Sequence, residues 1–239
     1  MNKRRVQAIF RKEMREFRRN KQIVSTMAVS PIGFVIFPVI FLFSTINASN
    51  VSLLYSYPVQ IFTLAAAAVL PAVVGGYAII GEREQGTLEP LLGTPVRTEE
   101  LMLGKALAIF VAAASWSYLI FGLLDACVWL FKPAVVSSVA LRPSILLTQL
   151  LFTPLLVVMA TWISMIISAR VTDFRVAGQL AMLVNLPVIA VLILMGVHVI
   201  QFTTPVAIGF GAALLVLDVA GWPLASRTFN RERLILGTH

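Results

Sequence analysis

Charged residues are scarce in this sequence. Asp, Glu, Lys and Arg make up 13% of its 239 residues, against about 25% in an ordinary soluble domain. None of the four occurs from Gln22 to Gly81 or from Val176 to Leu217. These runs are 60 and 42 residues long, about three times and twice the ~20 residues that one helix needs to cross a bilayer. This composition excludes a soluble globular enzyme and an intrinsically disordered chain, and it predicts an all-α integral membrane protein.

Residue types that build catalytic and metal sites are also few. The sequence has one cysteine, Cys127, and two histidines, His198 and His239, so we expect no intrachain disulfide and no histidine-rich metal site. It has no G-x-x-x-x-G-K-[ST] motif, because Gly104 and Lys105 are followed by alanine, and it has no H-E-x-x-H or G-x-S-x-G motif. We therefore predict no catalytic residue, no bound metal and no cofactor held by this chain.

Basic residues are concentrated at the start of the chain. Nine of the 19 lysines and arginines lie in the first 21 residues, and the net charge of the whole sequence is +8. Within residues 4–19, apolar side chains recur at Val6, Phe10, Met14 and Phe17, a spacing that predicts an amphipathic helix. We expect this basic segment, residues 1–22, to lie among the lipid headgroups and to contact membrane lipids rather than nucleic acid.

The apolar segments predict a transmembrane domain of six helices over residues 23–226. The spans lie at about 23–46, 59–80, 99–131, 144–168, 177–199 and 205–226, and a basic tail of 227–239 follows. With the N-terminus inside, 17 basic residues fall in the inner segments, and only Lys132 and Arg142 fall in the outer connections. Under the positive-inside rule, this asymmetry places both termini in the cytoplasm of a multi-pass protein of the cell membrane.

Two carboxylates lie within the predicted spans. Asp125 is near the outer end of the third span, and Asp218 is in the inner half of the sixth. An acidic group inside a membrane is costly, so each is expected to have a polar partner or a wet cavity. Two interpretations stay open: Asp125 and Asp218 either belong to a transport or gating path, or they are structural acids that are neutral or hydrogen-bonded.

The loop between the second and third spans is the most informative segment. It runs from Gly81 to Val96 and reads GEREQGTLEPLLGTPV. Gly86 is predicted to turn the chain, Thr87 to cap a short helix, and Thr98 to cap the next helix. The leucines of the short helix would share one face, which suits insertion into a groove of a cytosolic partner. The alternative is a surface helix that lies on lipid.

This loop and the residues that follow it, up to Lys105, resemble the corresponding loop in permeases of ABC exporters of the second type, which export drugs, polysaccharides or sodium. The family pattern runs E-[RK]-E-x-G-T-L-E-x-L-L-x-T-P-V, then an acidic residue, Gly and Lys. Residues 10–13 with Arg19 are similar to the N-terminal connecting helix of the same family. In these permeases the loop carries a coupling helix that docks on a separate ATPase subunit. By this resemblance, the ATPase contact would be formed by Glu82, Arg83, Glu84, Gln85, Gly86, Thr87, Leu88, Glu89, Leu91 and Leu92.

The resemblance implies a transport subunit without an ATPase site of its own. ATP and Mg²⁺ would be bound by the partner ATPase, and a second copy of the permease or a related permease would complete the translocation path. The largely uncharged spans favour export of an apolar or amphipathic substrate, drug-like or lipid-like. The alternative is a secondary transporter or channel driven by an ion gradient through Asp125 or Asp218. A membrane-embedded enzyme is a third hypothesis, and no motif supports it.

Overall fold

The computed structural model describes residues 2–45, 58–84, 86–87, 96–196, 199–200 and 203–228. This part of the chain contains eight helices and no strands, which confirms the all-α prediction. The helices are α1 (Lys3–Arg19), α2 (Lys21–Thr45), α3 (Pro58–Glu84), α4 (Thr98–Phe131), α5 (Ala134–Ala140), α6 (Pro143–Arg170), α7 (Phe174–Gly196) and α8 (Thr204–Thr228).

Five of the described helices are long and apolar enough to cross a membrane. They are α3 from Phe62 onwards, α4, α6, α7 as far as Met195, and α8, and they lie where the second to sixth spans are predicted. The chain is therefore a multi-pass membrane protein. The first predicted span, 23–46, lies on α2, whose apolar stretch in the described part of the chain is Ile32–Ser44. The predicted tail of 227–239 lies outside the described residues after position 228.

Helix α3 is the centre of the bundle. It packs against α2, α4, α6 and α7, and most of its length is buried. Its run of four alanines, Ala65–Ala68, is at most 7% exposed. Small residues at such positions let neighbouring helix backbones approach closely, which is the main way that helices associate in a membrane.

A close approach joins α3 to α6. A Cβ atom on Gly75 would overlap the side chain of Ser164, so only glycine fits there. One turn away, the Ser168 hydroxyl donates to the Gly76 carbonyl at 2.8 Å and accepts from the Ile79 N–H at 3.2 Å. These contacts hold α3 against α6 at a fixed height.

A buried polar network joins the same two helices farther along. The Thr63 hydroxyl donates to Gln149 Oε1 at 3.0 Å, and Gln149 Nε2 donates to Thr153 Oγ1 at 3.0 Å. All three side chains are at most 1% exposed. A buried amide is costly unless it is hydrogen-bonded, so this network ties α3 to α6 in one register.

The outward faces of α7 and α8 are apolar and exposed. Leu183 is 63% exposed and Val219 is 74% exposed. Large continuous apolar surfaces of this kind are rare on soluble monomers. They suit side chains that face lipid or another chain within a membrane.

Two local features differ from the sequence prediction. The connection predicted at 132–143 contains the short helix α5, which adds about two turns of structure that hydropathy does not distinguish from a loop. Thr98 is the first residue of α4 rather than its cap, because the chain is still extended at Arg97 (φ −71°, ψ 144°). The Glu100 carboxylate accepts from the Arg97 N–H at 3.3 Å and replaces a threonine cap.

Candidate functional site

Helix α3 ends at Glu84, directly before residues 85–95, which we call the predicted coupling segment. Gly86 has a φ of +66°, which glycine adopts without strain. The Thr87 N–H donates to the Glu82 carbonyl at 2.9 Å, and the Gly86 N–H donates to the Arg83 carbonyl at 3.1 Å. These two bonds define a Schellman motif, so the predicted turn at Gly86 is confirmed.

The Glu82 side chain belongs to a group of charged residues that we call the ion cluster. Its members are Lys12, Glu13, Glu16, Glu82 and Lys105. The Lys105 Nζ atom lies 2.8 Å from Glu13 Oε1 and 3.0 Å from Glu82 Oε1. The Lys12 Nζ atom lies 2.6 Å from the same Glu82 oxygen and 3.6 Å from Glu16 Oε2. The ion cluster therefore joins α1, α3 and α4.

Three members of the ion cluster have almost no contact with solvent. Lys105 is 1% exposed, Glu82 is 2% exposed and Glu13 is 3% exposed. Removing one partner from a buried ion pair costs about 3–5 kcal/mol, because the other charge is left uncompensated. Each of the three groups therefore needs the others as ion-pair partners, and Lys105 is the buried cation that contacts both carboxylates.

Lys12 lies at the edge of the ion cluster. Partial burial acts to lower the pKa of Lys12, but the hydrogen bond to Glu82 and the charges of Glu82, Glu13 and Glu16 together raise it above its ordinary value. Lys12 is thus a stable cation over the physiological pH range. Lys12 and Lys105 balance the charges of the two buried carboxylates, Glu13 and Glu82. This balance explains how the four charged groups can share one site.

A second contact joins α1 to the other flank of the loop. The Glu100 carboxylate, which is 2% exposed, accepts from the Asn2 N–H at 2.6 Å, and the Arg5 guanidinium lies 3.6 Å from it. Glu82 precedes residues 85–95 and Glu100 follows them. Helix α1 is therefore bonded to the chain on both sides of the predicted coupling segment.

The apolar face of α1 is covered by α4. Ile9 and Phe17 are buried in one cluster with Leu101 and Met102. A Cβ atom on Gly104 would lie 2.6 Å from Ile9 Cγ2, so glycine at this position allows the two helices to touch. The sequence predicts that this segment lies among lipid headgroups; in the structure its apolar stripe packs on α4, and its basic residues form the outer face.

The residues predicted to contact an ATPase occupy different environments. Glu82 is buried in the ion cluster, and the half-buried Arg83 donates from Nη1 to the Val171 carbonyl at 3.2 Å. Glu84, Gly86 and Thr87 are exposed. The rest of the predicted contact lies outside the described residues: Gln85, Leu88, Glu89, Leu91 and Leu92.

The two acids predicted to mark a transport path are on different helices. Asp125 is partly buried on α4, and Asp218 is partly buried on α8. The Asp218 Oδ1 atom is shielded from solvent and has no hydrogen-bond partner among the described residues. One turn farther along α8, Gly221 packs directly against the Trp162 ring. The structure places no hydrogen bond or ion pair between the two acids in the part of the chain it describes.

Sequence reasoning missed Lys12, Glu13 and Lys105 as a connected group. Lys105 is separated from Glu13 by 92 positions, and no local period links them. The signal available in the sequence was the position of these charged residues among apolar neighbours. Glu13 falls beside the apolar stripe of the first helix rather than on its basic face, and Lys105 falls on a helix whose neighbouring residues are apolar.

Among the residues that the structure describes, no group of three or more His, Cys, Asp and Glu side chains could hold a metal ion. The described part of the site consists of ion pairs and hydrogen bonds that join α1 to α3 and α4.

Comparison with known proteins places the chain in a family. Residues 7–223 match the family described as ABC-2 family transporter protein. No curated protein matches the chain significantly. The matched range runs from α1 to the last turns of α8, and it includes the ion cluster and the predicted coupling segment. The chain therefore belongs to the ABC-2 transporter family and is a membrane permease of an ABC-type transporter.

Proposed function

We propose that this permease is the membrane subunit of an exporter, and that residues 85–95 dock on a separate ATPase subunit. In this proposal the segment is a coupling element that carries the conformational change of the ATPase to the spans. The predicted contact residues that would face the ATPase are those from Glu84 to Leu92, whereas Arg83 donates to the Val171 carbonyl. Glu82 instead has an internal role, since it is buried between two lysines.

The observation that carries this proposal is the double attachment of the segment to α1. Glu82 anchors its start to Lys12 and Lys105, and Glu100 anchors its end to the first residues of α1. A loop whose flanks were not attached could move without moving the helices next to it. Here both flanks of the segment are bonded to α1, and the segment leads directly into α3 and α4. A movement of the ATPase would therefore be passed on to the membrane helices.

The rest of the assembly follows from the same proposal. ATP and Mg²⁺ are bound by the ATPase subunit, and both termini of the permease lie on the same cytoplasmic side. Six spans form half of a translocation path, so a second copy or a related permease completes it. The exposed apolar faces of α7 and α8 supply surface for that contact. An apolar or amphipathic substrate suits spans that contain so few charges.

A second candidate function is transport driven by an ion gradient through Asp218. One observation favours it, since the Asp218 Oδ1 atom is shielded from solvent without a hydrogen-bond partner among the described residues. Such an acid could exchange protons or cations during transport. Asp125 lies on another helix, α4, and forms no hydrogen bond or ion pair with Asp218 among the described residues.

The decisive experiment changes the leucine face of the coupling segment. Leu88→Asp combined with Leu91→Asp places two charges in the expected groove, and burying unpaired charges costs more than the lost apolar contact. The tagged permease is purified from native membranes, and P-loop proteins and ATP hydrolysis in the eluate are measured. We expect the variant to insert normally but to lose the ATPase.

A matched control introduces two carboxylates at exposed positions on the predicted outer side. Ala134→Asp with Thr203→Asp changes the charge by the same amount, and both residues are exposed. This control should retain the ATPase. If the leucine variant also retains a fully active ATPase, residues 85–95 are not the coupling element and the proposal is wrong.

A further inference from the structure

A groove lies between α1 and α4 on the side away from the ion cluster. Its volume is about 550 Å³, within the range of about 300–1,000 Å³ that small-molecule pockets have. Helix α4 contributes Leu103, Leu107 and Val111 to the lining. These residues are spaced four apart, so they form one stripe that leads from the start of α4 towards the middle of the span.

The α1 side of the groove differs in chemistry. Val6 and Phe10 continue the apolar lining, but Lys3 and Gln7 bring polar groups to the same space. Lys3 is exposed and makes no ion pair or hydrogen bond within the described part of the chain. The groove therefore combines a long apolar wall with the ammonium group of a lysine and the amide of a glutamine.

We propose that this groove binds one anionic phospholipid, with an acyl chain along Leu103, Leu107 and Val111 and the phosphate beside Lys3. The apolar stripe belongs to a helix that crosses the membrane, so the groove opens towards the acyl-chain region. Leu107 and Val111 are 40% and 36% exposed, which leaves them accessible to a chain lying in the groove.

The charge of α1 favours an anionic headgroup over a neutral one. The helix carries eight basic residues and two acidic residues, and one of those acids, Glu13, is neutralised within the ion cluster. A basic helix at a membrane surface attracts acidic lipids. This inference needs only that the chain spans a membrane, so it does not depend on the proposed coupling function.

The experiment uses the full-length permease in bilayer discs that contain phosphatidylglycerol with a photoreactive acyl chain. After illumination, mass spectrometry maps the labelled residues. We expect labelling at Leu107 and Val111 to exceed labelling at Leu119 and Leu123, which are exposed on the same helix to similar extents, 46% and 49%. Equal labelling at all four positions would mean ordinary surrounding lipid and would overturn the proposal.

Two pairs of variants test the wall and the cation separately. Val111→Trp fills the groove and should remove the excess labelling, whereas Leu119→Trp adds the same side chain elsewhere on α4 and should not. Lys3→Ala should weaken retention of phosphatidylglycerol about fivefold in native mass spectrometry, because one lysine near an anionic surface contributes about this factor. Arg18→Ala, at the opposite end of α1, should weaken retention less than Lys3→Ala, because Arg18 does not line the groove.

Competition with phosphatidylcholine tests the headgroup. We expect unlabelled phosphatidylglycerol to suppress the labelling of Val111 and an equal amount of phosphatidylcholine to leave most of it. Equal competition by the two lipids would contradict the role given to Lys3. The labelling map of the unmodified protein decides the question even if a variant fails to fold.

Discussion

Lys105 is the most deeply buried cation among the described charged contacts. It is 1% exposed and binds both Glu13 and Glu82. Lys12 binds the same Glu82 oxygen, but its side chain is 45% exposed. The two lysines carry the same formal charge, but losing an ion-pair partner costs Lys105 much more than Lys12. Water can replace the partner of Lys12 at the edge of the ion cluster but not that of Lys105 inside it.

We predict that Lys105→Met destabilises the permease by about 3–5 kcal/mol and that Lys12→Met costs about 1 kcal/mol or less. Thermal unfolding in detergent measures both. Adding Glu13→Gln to Lys105→Met should recover part of the loss, since Lys12 and Glu82 then remain as a balanced pair. A Lys12→Met variant that unfolds as readily as Lys105→Met would contradict this ranking.

Asp218 separates the two candidate transport mechanisms. If it is structural, Asp218→Asn keeps most of its hydrogen-bonding capacity because the amide has nearly the same shape. We expect this variant to retain ATP-dependent efflux of an amphipathic dye at acidic and neutral pH, and we expect the same of Asp125→Asn. Loss of efflux with assembly and ATP hydrolysis intact would instead favour coupling to an ion gradient.

The end of α3 is an element-scale feature that depends on one backbone conformation. Gly86 has positive φ, and a Cβ atom added to it would meet no atom within 4 Å, so a larger side chain there would cause strain rather than a clash. Gly86→Val should cost about 1–2 kcal/mol and misalign the coupling segment. Gly86→Asn should be milder, because asparagine tolerates this region.

The measurement is the amount and activity of the ATPase that remains bound to each variant. Gly122→Val provides the control, since Gly122 also has open space around it but lies within α4 at ordinary helical φ. We expect coupling to be highest in the unmodified protein, lower in Gly86→Asn and lowest in Gly86→Val. Coupling in Gly122→Val should be close to that of the unmodified protein. Equal coupling by both Gly86 variants would show that the turn geometry is unimportant.

The long helices were predictable from the sequence because their signals are local, whereas the short helix α5 was not. The two uncharged runs, 22–81 and 176–217, contain most of α3 and most of α7. Gly86 marks the end of α3 to within two residues. The ion cluster was not predictable, because its members come together only when α1, α3 and α4 pack. Glu82 shows the difference: its position in the loop pattern suggests a partner contact, whereas packing turns its side chain inward.

At the scale of the whole molecule, the orientation in the membrane can be tested directly. In a Cys127→Ser background, Asn50→Cys and Ser137→Cys should react with an impermeant thiol reagent added outside intact cells. Thr94→Cys and Ile235→Cys should react only after permeabilisation. The expected pattern follows from the distribution of basic residues. Labelling at position 94 from outside would reverse the orientation and remove the coupling segment from the cytoplasm.

The distance along the chain between Glu13 and Lys105 has a consequence for synthesis. The two residues are 92 positions apart. Because ribosomes add about 5–20 residues per second, Lys105 is synthesised roughly 5–20 s after Glu13. During this interval the first helix has left the ribosome without the surface that later covers it. We therefore expect α1 to dock only after α4 has been synthesised and inserted: α1 should be open to protease in a nascent chain arrested before residue 105 and protected once all of α4 has left the ribosome.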